Sequence, residues 1–190
     1  MRILDLGCGF GQDLFSWGVT ASDEVTGVDI DETRLETARE QFPDRTYLYG
    51  AGEKLPFENA RFDRVISSVA LPYMNIPKAL HEIHRVLVPG GSVSLSLHLP
   101  SFTFAELRQH AFPRPIPTIF RLYVMANGAL FHCTGKTIGF VNHRTESFQT
   151  ERGMKIAFHH AGFITPSFKR ASGPAGEMFI VEAISKDGTE

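Results

Sequence analysis

The sequence predicts an α/β domain in which a mostly parallel, seven-stranded sheet carries helices on both faces and ends in an antiparallel strand. Strand-like and helix-like segments alternate from residue 2 to about residue 98, which is the pattern of a parallel sheet covered on both sides. Two further apolar runs, 163–170 and 178–185, are joined by a short connection, so that these strands are predicted to pair antiparallel. With 190 residues, of which 43% are hydrophobic, the chain is long enough for one domain with a sizeable core.

Composition narrows the classes of partner. The net charge is −2, with lysine and arginine scattered along the chain, so neither a nucleic-acid nor an anionic membrane partner is predicted. The two cysteines, Cys8 and Cys133, are too few for a disulfide framework and favour a reducing, cytoplasmic location. No apolar run reaches the roughly 18 residues of a membrane helix, and no signal peptide follows Met1.

Each element has a local signal. Asp31 is predicted to cap a helix whose Leu35, Ala38 and Phe42 lie on one face, and Thr150 to cap another that Gly162 ends. The predicted parallel strands are 3–6, 24–29, 46–49, 64–70 and 92–98. Three helices are predicted at 12–17, 31–42 and 150–162. A further helix is predicted to begin at Asn75 and Pro77 and to end at 89–91. Because the first strand begins so early, we expect this end either to be minimal or to lack a preceding helical segment.

A glycine-rich turn directly follows the first strand. Gly7, Gly9 and Gly11 alternate with other residues, and a backbone without Cβ atoms can turn sharply and approach a ligand closely. The amides of the short helix that follows are predicted to suit the carboxylate end of such a ligand. A dinucleotide fingerprint beginning at Gly7 would need glycine at position 12, where Gln12 stands. The turn therefore predicts a nucleoside cradle, and a nicotinamide-dependent oxidoreductase is the weaker alternative.

Asp29 ends the second strand about 20 residues after the glycines, which is the spacing of an acid that binds ribose hydroxyls. An ionised carboxylate can accept hydrogen bonds from both hydroxyls at once. The alternative role for Asp29 is that of a helix-capping acid next to Asp31.

Four motifs occur in a fixed order: the glycine turn, Gly27-Val28-Asp29, Leu55-Pro56-Phe57, and the run from Arg85 through Pro89 to Gly91. Together they resemble the class I S-adenosylmethionine-dependent methyltransferases, in particular the small-molecule branch of the methyltransferase type 11-like group. The resemblance implies a Rossmann-like fold, S-adenosylmethionine as cofactor with S-adenosylhomocysteine as product, and one domain over 1–190 with an insertion at 99–148. No metal is predicted.

The resemblance also implies a set of cofactor-binding residues. Asp29 would bind the ribose, Ile30 would pack on the adenine, and Ser68 and Val69 would face the methyl-donor end. Ala51 and Gly52 stand where the family often has Asp-Ala, so that adenine recognition would rely on backbone or on packing against Leu55. The full predicted set is Asp5, Gly7, Cys8, Gly9, Gly11, Asp29, Ile30, Ala51, Gly52, Ser68 and Val69.

Methyl transfer from a sulfonium leaves a neutral thioether, so aligning the acceptor and excluding water supply much of the catalysis. A general base is needed only when the acceptor carries a proton. His98 and Tyr73 are the candidates, and His98 is preferred on its ordinary pKa. The alternative for His98 is a strand-end histidine bonded to a loop carbonyl, and His132 and His143 are weaker candidates.

The phenylalanine-rich insertion leaves the carboxyl end of the fifth strand, where open α/β sheets bind ligands. It is predicted to cover an apolar or aromatic acceptor. The alternatives are the core of a small helical subdomain or a homodimer surface.

Amino-group methyltransferases that act on nucleic acids or protein amides have an Asn/Asp-Pro-Pro-Tyr motif. In this chain Ala70 stands where that motif has its polar residue, which argues against methylation of nucleic-acid bases. The predicted function is methyl transfer to a small molecule, and the alternative is a non-catalytic S-adenosylmethionine-binding subunit or regulator.

Overall fold

The computed structural model describes residues 1–101, 103–104, 115–139, 145–164, 166–173 and 176–186. Within the described residues, seven strands, four α-helices and two short 3-10 helices have defined bounds. The strands are β1 Arg2–Leu6, β2 Glu24–Asp29, β3 Thr46–Tyr49, β4 Phe62–Ser68, β5 Leu87–His98, β6 Ser167–Gly173 and β7 Gly176–Ile184. The helices are α1 Glu32–Gln41, α2 Ile76–Val86, α3 Pro115–Thr134 and α4 Glu151–His160, and the 3-10 helices are Asp13–Trp17 and Leu71–Tyr73.

The strands form one sheet in the order β3-β2-β1-β4-β5-β7-β6. The first five strands pair in parallel, whereas β7 runs antiparallel to both β5 and β6. The predicted fold class is therefore confirmed. Because the strand order reverses between β1 and β4, the crevice beyond the carboxyl end of β1 is where this fold class binds ligands.

Helices cover both faces of the sheet, as predicted. Alternate residues of β5, including Val93 and Leu95, share the larger core with Leu80 of α2 and Phe158 of α4. On the other face, Leu35 of α1 packs with residues from the glycine turn and β3. The carboxyl ends of β1, β2 and β4 thus lie between two packed layers, which fixes the position of the crevice.

Several predicted boundaries were wrong by a few residues. The fourth strand ends at Ser68 rather than at residue 70, because Val69 leaves the extended conformation with φ of 57°. The fifth strand begins at Leu87 rather than at Ser92, because Leu87 pairs with Phe62 before the register shifts. The sixth strand begins later than residue 163, and its predicted first residue makes only an isolated bridge. The helix predicted at 12–17 is a 3-10 helix over Asp13–Trp17.

The described part of the insertion contains α3, which packs on α4. Phe131 of α3 is fully buried in the larger core, and a Cβ on Gly153 of α4 would lie 2.7 Å from the Phe131 carbonyl oxygen. Phe102, Phe112 and Phe140, which were predicted to cover the acceptor as part of the phenylalanine-rich segment, and His143 lie outside the described residues. Among the helices that the structure describes, none has the length and apolarity to cross a bilayer.

Candidate active site

The glycine turn lies at the carboxyl end of β1 and is tied to β2. Gly7, Gly9 and Gly11 have φ of 71°, 52° and 77°, a region that favours glycine. The backbone amides of Gly7 and Cys8 both donate to the Val28 carbonyl, at 2.7 and 3.1 Å. A Cβ on Gly9 would meet nothing within 4 Å. The turn is thus a cradle with open space beside it, and a side chain at position 9 would occupy that space.

Asp29, the last residue of β2, connects this cradle to the neighbouring strand. Its Oδ2 accepts from the Gly9 amide at 2.9 Å and its Oδ1 accepts from the Asp31 amide at 3.0 Å. Each oxygen keeps further acceptor capacity. The helix-capping role falls to Asp31 instead, whose side chain accepts from the Thr33 and Arg34 amides. The side chain of Ile30, next to Asp29, is 66% exposed.

The layer beneath the turn is buried and tightly packed. A Cβ on Gly27 would lie 2.8 Å from the Cys8 Sγ and 2.7 Å from the Tyr47 ring. Burial, followed by the nearby carboxylates of Asp5 and Asp29, raises the pKa of the Cys8 thiol. Cys8 therefore stays protonated and acts as a packing residue, because nucleophilic cysteines require the thiolate.

Two residues support the third glycine, Tyr47 of β3 and Arg45 directly before that strand, and sequence reasoning missed both. The Tyr47 hydroxyl would lie 2.5 Å from a Cβ on Gly11. The Arg45 Nη1 donates to the Gly11 carbonyl at 2.7 Å. The available signal was the buried aromatic residue on a short edge strand, directly opposite Gly27 in the register.

The exit of β4 packs on the glycine turn from the other side. Ser68 Oγ accepts from Trp17 Nε1 at 3.0 Å, and the Val69 amide donates to the Ser96 carbonyl at 3.0 Å. The Ala70 Cβ occupies the position that a Cβ on Gly7 would need. A side chain at position 7 is therefore excluded by Ala70. Trp17 is a third residue that the sequence did not indicate.

Arg85 and Glu82 of α2 hold the loop that contains Leu55-Pro56-Phe57. Arg85 binds Glu82 through two hydrogen bonds of 2.7 and 2.8 Å. It also donates to the carbonyls of Phe57, at 2.7 Å, and Leu55, at 3.2 Å. Glu82 in turn accepts from the Leu55 amide at 2.7 Å. The bond to Arg85 lowers the pKa of Glu82 and raises that of Arg85. The third and fourth motifs of the sequence are thus in direct contact.

A model of the methyltransferase domain matches residues 4–95, a range that contains the glycine turn, Asp29, the β4 exit and the loop bound by Arg85. This part of the chain is similar to the methyltransferase domain family. Its members include class I S-adenosylmethionine-dependent enzymes, and the cradle and carboxylate described above fit that cofactor.

Curated relatives and solved structures agree with this family. The chain is 41% identical over 97 residues to a malonyl-[acyl-carrier protein] O-methyltransferase of Erwinia pyrifoliae, covering 50% of this chain and 37% of that protein. It is 28% identical over 188 residues to a demethylmenaquinone methyltransferase of Staphylococcus aureus, covering 94% of this chain and 74% of that one. The fold matches a SAM-dependent methyltransferase of Methanosarcina mazei with a TM-score of 0.66 and 17% identity, over 97% of this chain and 92% of that chain.

The two positions where the methyltransferase family often has Asp-Ala contribute main chain rather than polar side chains. A Cβ on Gly52 would lie 2.5 Å from the Met74 sulfur, so that Met74 fills the space beside it. The Ala51 carbonyl accepts from the Lys54 amide at 3.0 Å. Leu55, predicted as a packing partner for adenine, is buried in the larger core.

The candidate catalytic residues of the methyltransferase domain lie near its carboxyl edge. His98 is the last residue of β5 and is half-buried. Tyr73 ends the second 3-10 helix and is 56% exposed. His132 has its Nδ1 2.9 Å from Thr150 Oγ1, which caps α4, so that its contact is structural. Within the described ranges, no group of three or more histidine, cysteine or acidic residues is arranged to hold a metal.

A cavity of about 490 Å³ lies on the sheet face around Arg64, Ser94 and Glu182. It includes none of the predicted site residues, and its strand residues pair near the opposite end of β4. The candidate site is therefore the open crevice beside the glycine turn rather than this cavity.

Proposed function

We propose that this chain transfers a methyl group from S-adenosylmethionine to a small-molecule acceptor. The observation that carries the proposal is the joint geometry of the turn and Asp29. Open space beside Gly9 adjoins a carboxylate that retains acceptor capacity, followed directly by the exposed Ile30. This arrangement suits a nucleoside whose ribose bonds to the carboxylate and whose base lies on an apolar side chain.

The cofactor, when bound, supplies an electrophilic methyl group on a sulfonium. In the proposed reaction, Asp29 accepts from the ribose hydroxyls while Ile30 covers one face of the adenine. The β4 exit, residues 68–70, limits the space at the donor end and so aligns the acceptor. His98 would accept the proton of an acceptor that has one, because imidazole is the side chain best suited to proton transfer near neutral pH.

An apolar acceptor is the second part of the proposal. The predicted insertion exposes large apolar side chains, with Phe104 at 47%, Ile119 at 58% and Leu122 at 59%, which supports an apolar rather than a polar acceptor. The relatives are named for methyl transfer to malonyl-[acyl-carrier protein] and to demethylmenaquinone, neither of which is a nucleic acid. The insertion as acceptor cover, the homodimer and the cytoplasmic location stay predictions.

Calorimetry with S-adenosylhomocysteine tests the cofactor site. We expect wild-type protein to bind, and Asp29→Asn to weaken binding about tenfold to a hundredfold, the equivalent of losing a hydrogen bond to a charged group. Asp31→Asn is the matched control, because asparagine caps helices as well as aspartate does. Its affinity should equal that of the wild type.

Failure of the wild-type protein to bind S-adenosylhomocysteine would contradict the proposal. Binding without transfer to any member of a broad panel of apolar and polar acceptors would instead support the non-catalytic alternative. S-adenosylmethionine with a radiolabelled methyl group measures transfer, and calorimetry with S-adenosylhomocysteine on the same preparation measures binding.

A further inference from the structure

Three consecutive residues at the exit of β4 are each held by a different element. Ser68 accepts from Trp17 of the first 3-10 helix, and the Val69 amide donates to Ser96 of β5. The Ala70 Cβ packs against Gly7 of the glycine turn. The exit is therefore anchored to three separate parts of the fold within three residues.

The middle residue is held in an unfavourable backbone conformation. Val69 has φ of 57°, in the left-handed region that β-branched residues rarely adopt. Such strain persists only where the surroundings determine the conformation, and it occurs often at functional sites. The contacts of Ser68 and Ala70, on the two sides of Val69, hold the backbone in this conformation.

The left-handed turn at Val69 has a direct structural consequence. It ends β4 at Ser68 and turns the chain so that Ala70 meets Gly7. An extended residue at this position would continue the strand and carry Ala70 away from the glycine turn. The contact between the β4 exit and the cradle thus depends on the backbone conformation of one residue.

We infer that Val69 is a positioning residue whose left-handed backbone, rather than its side chain, holds the β4 exit against the glycine turn and shapes the methyl-donor end of the cofactor site. The inference rests on the proposed function. It predicts that the melting temperature and the affinity for S-adenosylhomocysteine respond differently to substitutions at this one position.

The first arm of the test replaces Val69 by asparagine, which tolerates the left-handed region. Val69→Asn should raise the melting temperature by about 2 to 5 °C for a domain of this size, and it should lose clearly less S-adenosylhomocysteine affinity than the variants of the second arm. Ala60→Gly is the matched control, since Ala60 has φ of 55° in a loop between β3 and β4. It should raise the melting temperature without any change in affinity.

The second arm forces the exit out of its conformation. Proline is restricted to negative φ, so Val69→Pro should weaken S-adenosylhomocysteine at least about tenfold while leaving adenosine, which lacks the amino-acid part, within about twofold. If Val69→Pro does not fold, Ala70→Val serves instead, because its added methyl groups press on Gly7. The same contrast between the two ligands is expected.

Three results would overturn the inference. A lower melting temperature for Val69→Asn would mean that no strain is stored at Val69. A large loss of S-adenosylhomocysteine affinity in Val69→Asn would assign the role to the isopropyl group. Equal losses for both ligands in the second arm would mean general disruption. If wild-type protein bound no S-adenosylhomocysteine, the proposed function would fail, while the melting temperatures would still test the strain.

Discussion

Replacement of Arg85 should destabilise the protein far more than replacement of an ordinary surface arginine. Its guanidinium makes five hydrogen bonds, two to Glu82 and one each to Phe57, Leu55 and Asn59. The Arg85 and Glu82 side chains are only 30% and 19% exposed. Arg85→Ala leaves the Glu82 carboxylate without its cation, so we expect a loss of about 2 to 4 kcal/mol. That corresponds to a melting temperature lower by about 5 to 15 °C.

Urea unfolding followed by circular dichroism measures this loss. Arg61→Ala is the control, because the ion pair of Arg61 with Glu24 is 44% and 61% exposed, and exposed pairs contribute about 0 to 1 kcal/mol. Arg85→Lys should recover only part of the stability, since an ammonium cannot form the paired bonds of a guanidinium. If Arg85→Ala were no less stable than Arg61→Ala, the bonds between Arg85 and the loop would contribute nothing, and the reasoning would be refuted.

Two further predictions follow from shifted pKa values. The pKa of Glu82 and that of Asp63 are both lowered by arginine partners. Their stabilisation is therefore present above about pH 4.3 for Glu82 and about pH 3.9 for Asp63, and it is lost as the pH falls further. Urea midpoints measured from pH 6 to pH 3 should fall less steeply in Glu82→Gln than in wild type. For the thiols, a disulfide reagent at pH 8 should modify the exposed Cys133 but not Cys8, whose pKa is raised by burial. Native Cys133→Ser protein should be unreactive until it is denatured, and rapid labelling of that variant would contradict the burial of Cys8.

The fold was predictable because its signals are local. Each parallel strand is a short apolar run after a turn signal, and the helix caps at Asp31, Asn75 and Thr150 are where the sequence indicates. The start of β5 was not predictable in the same way. Pro89-Gly90-Gly91 has the composition of a turn, yet Leu87 pairs with Phe62, a contact that only the assembled sheet provides.

The residues of the candidate site likewise divide into those that local sequence signals predict and those that they do not. The turn glycines and Asp29 are recognisable because their spacing is set within one strand-turn-strand unit. Trp17 and Arg45 were missed because each reaches a residue far away in the sequence, across 51 positions to Ser68 and across 34 positions to Gly11. A tryptophan at position 17 or an arginine at position 45 does not by itself indicate a hydrogen-bond partner that is distant in the sequence. Interactions of this kind depend on tertiary packing and become visible only in coordinates.

The physical contacts explain why the sequence motifs occur together. Gly9 of the first motif is bonded to Asp29 of the second, and Arg85 of the fourth is bonded to Leu55 and Phe57 of the third. Gly7 joins the turn to the β4 exit through Ala70. A change at one position therefore alters a contact made by another motif, so substitutions at Gly9 and Asp29 should not have independent effects on binding. The motifs form two contact groups around one crevice, and Met74, which packs against Gly52 and Gly7, lies between them.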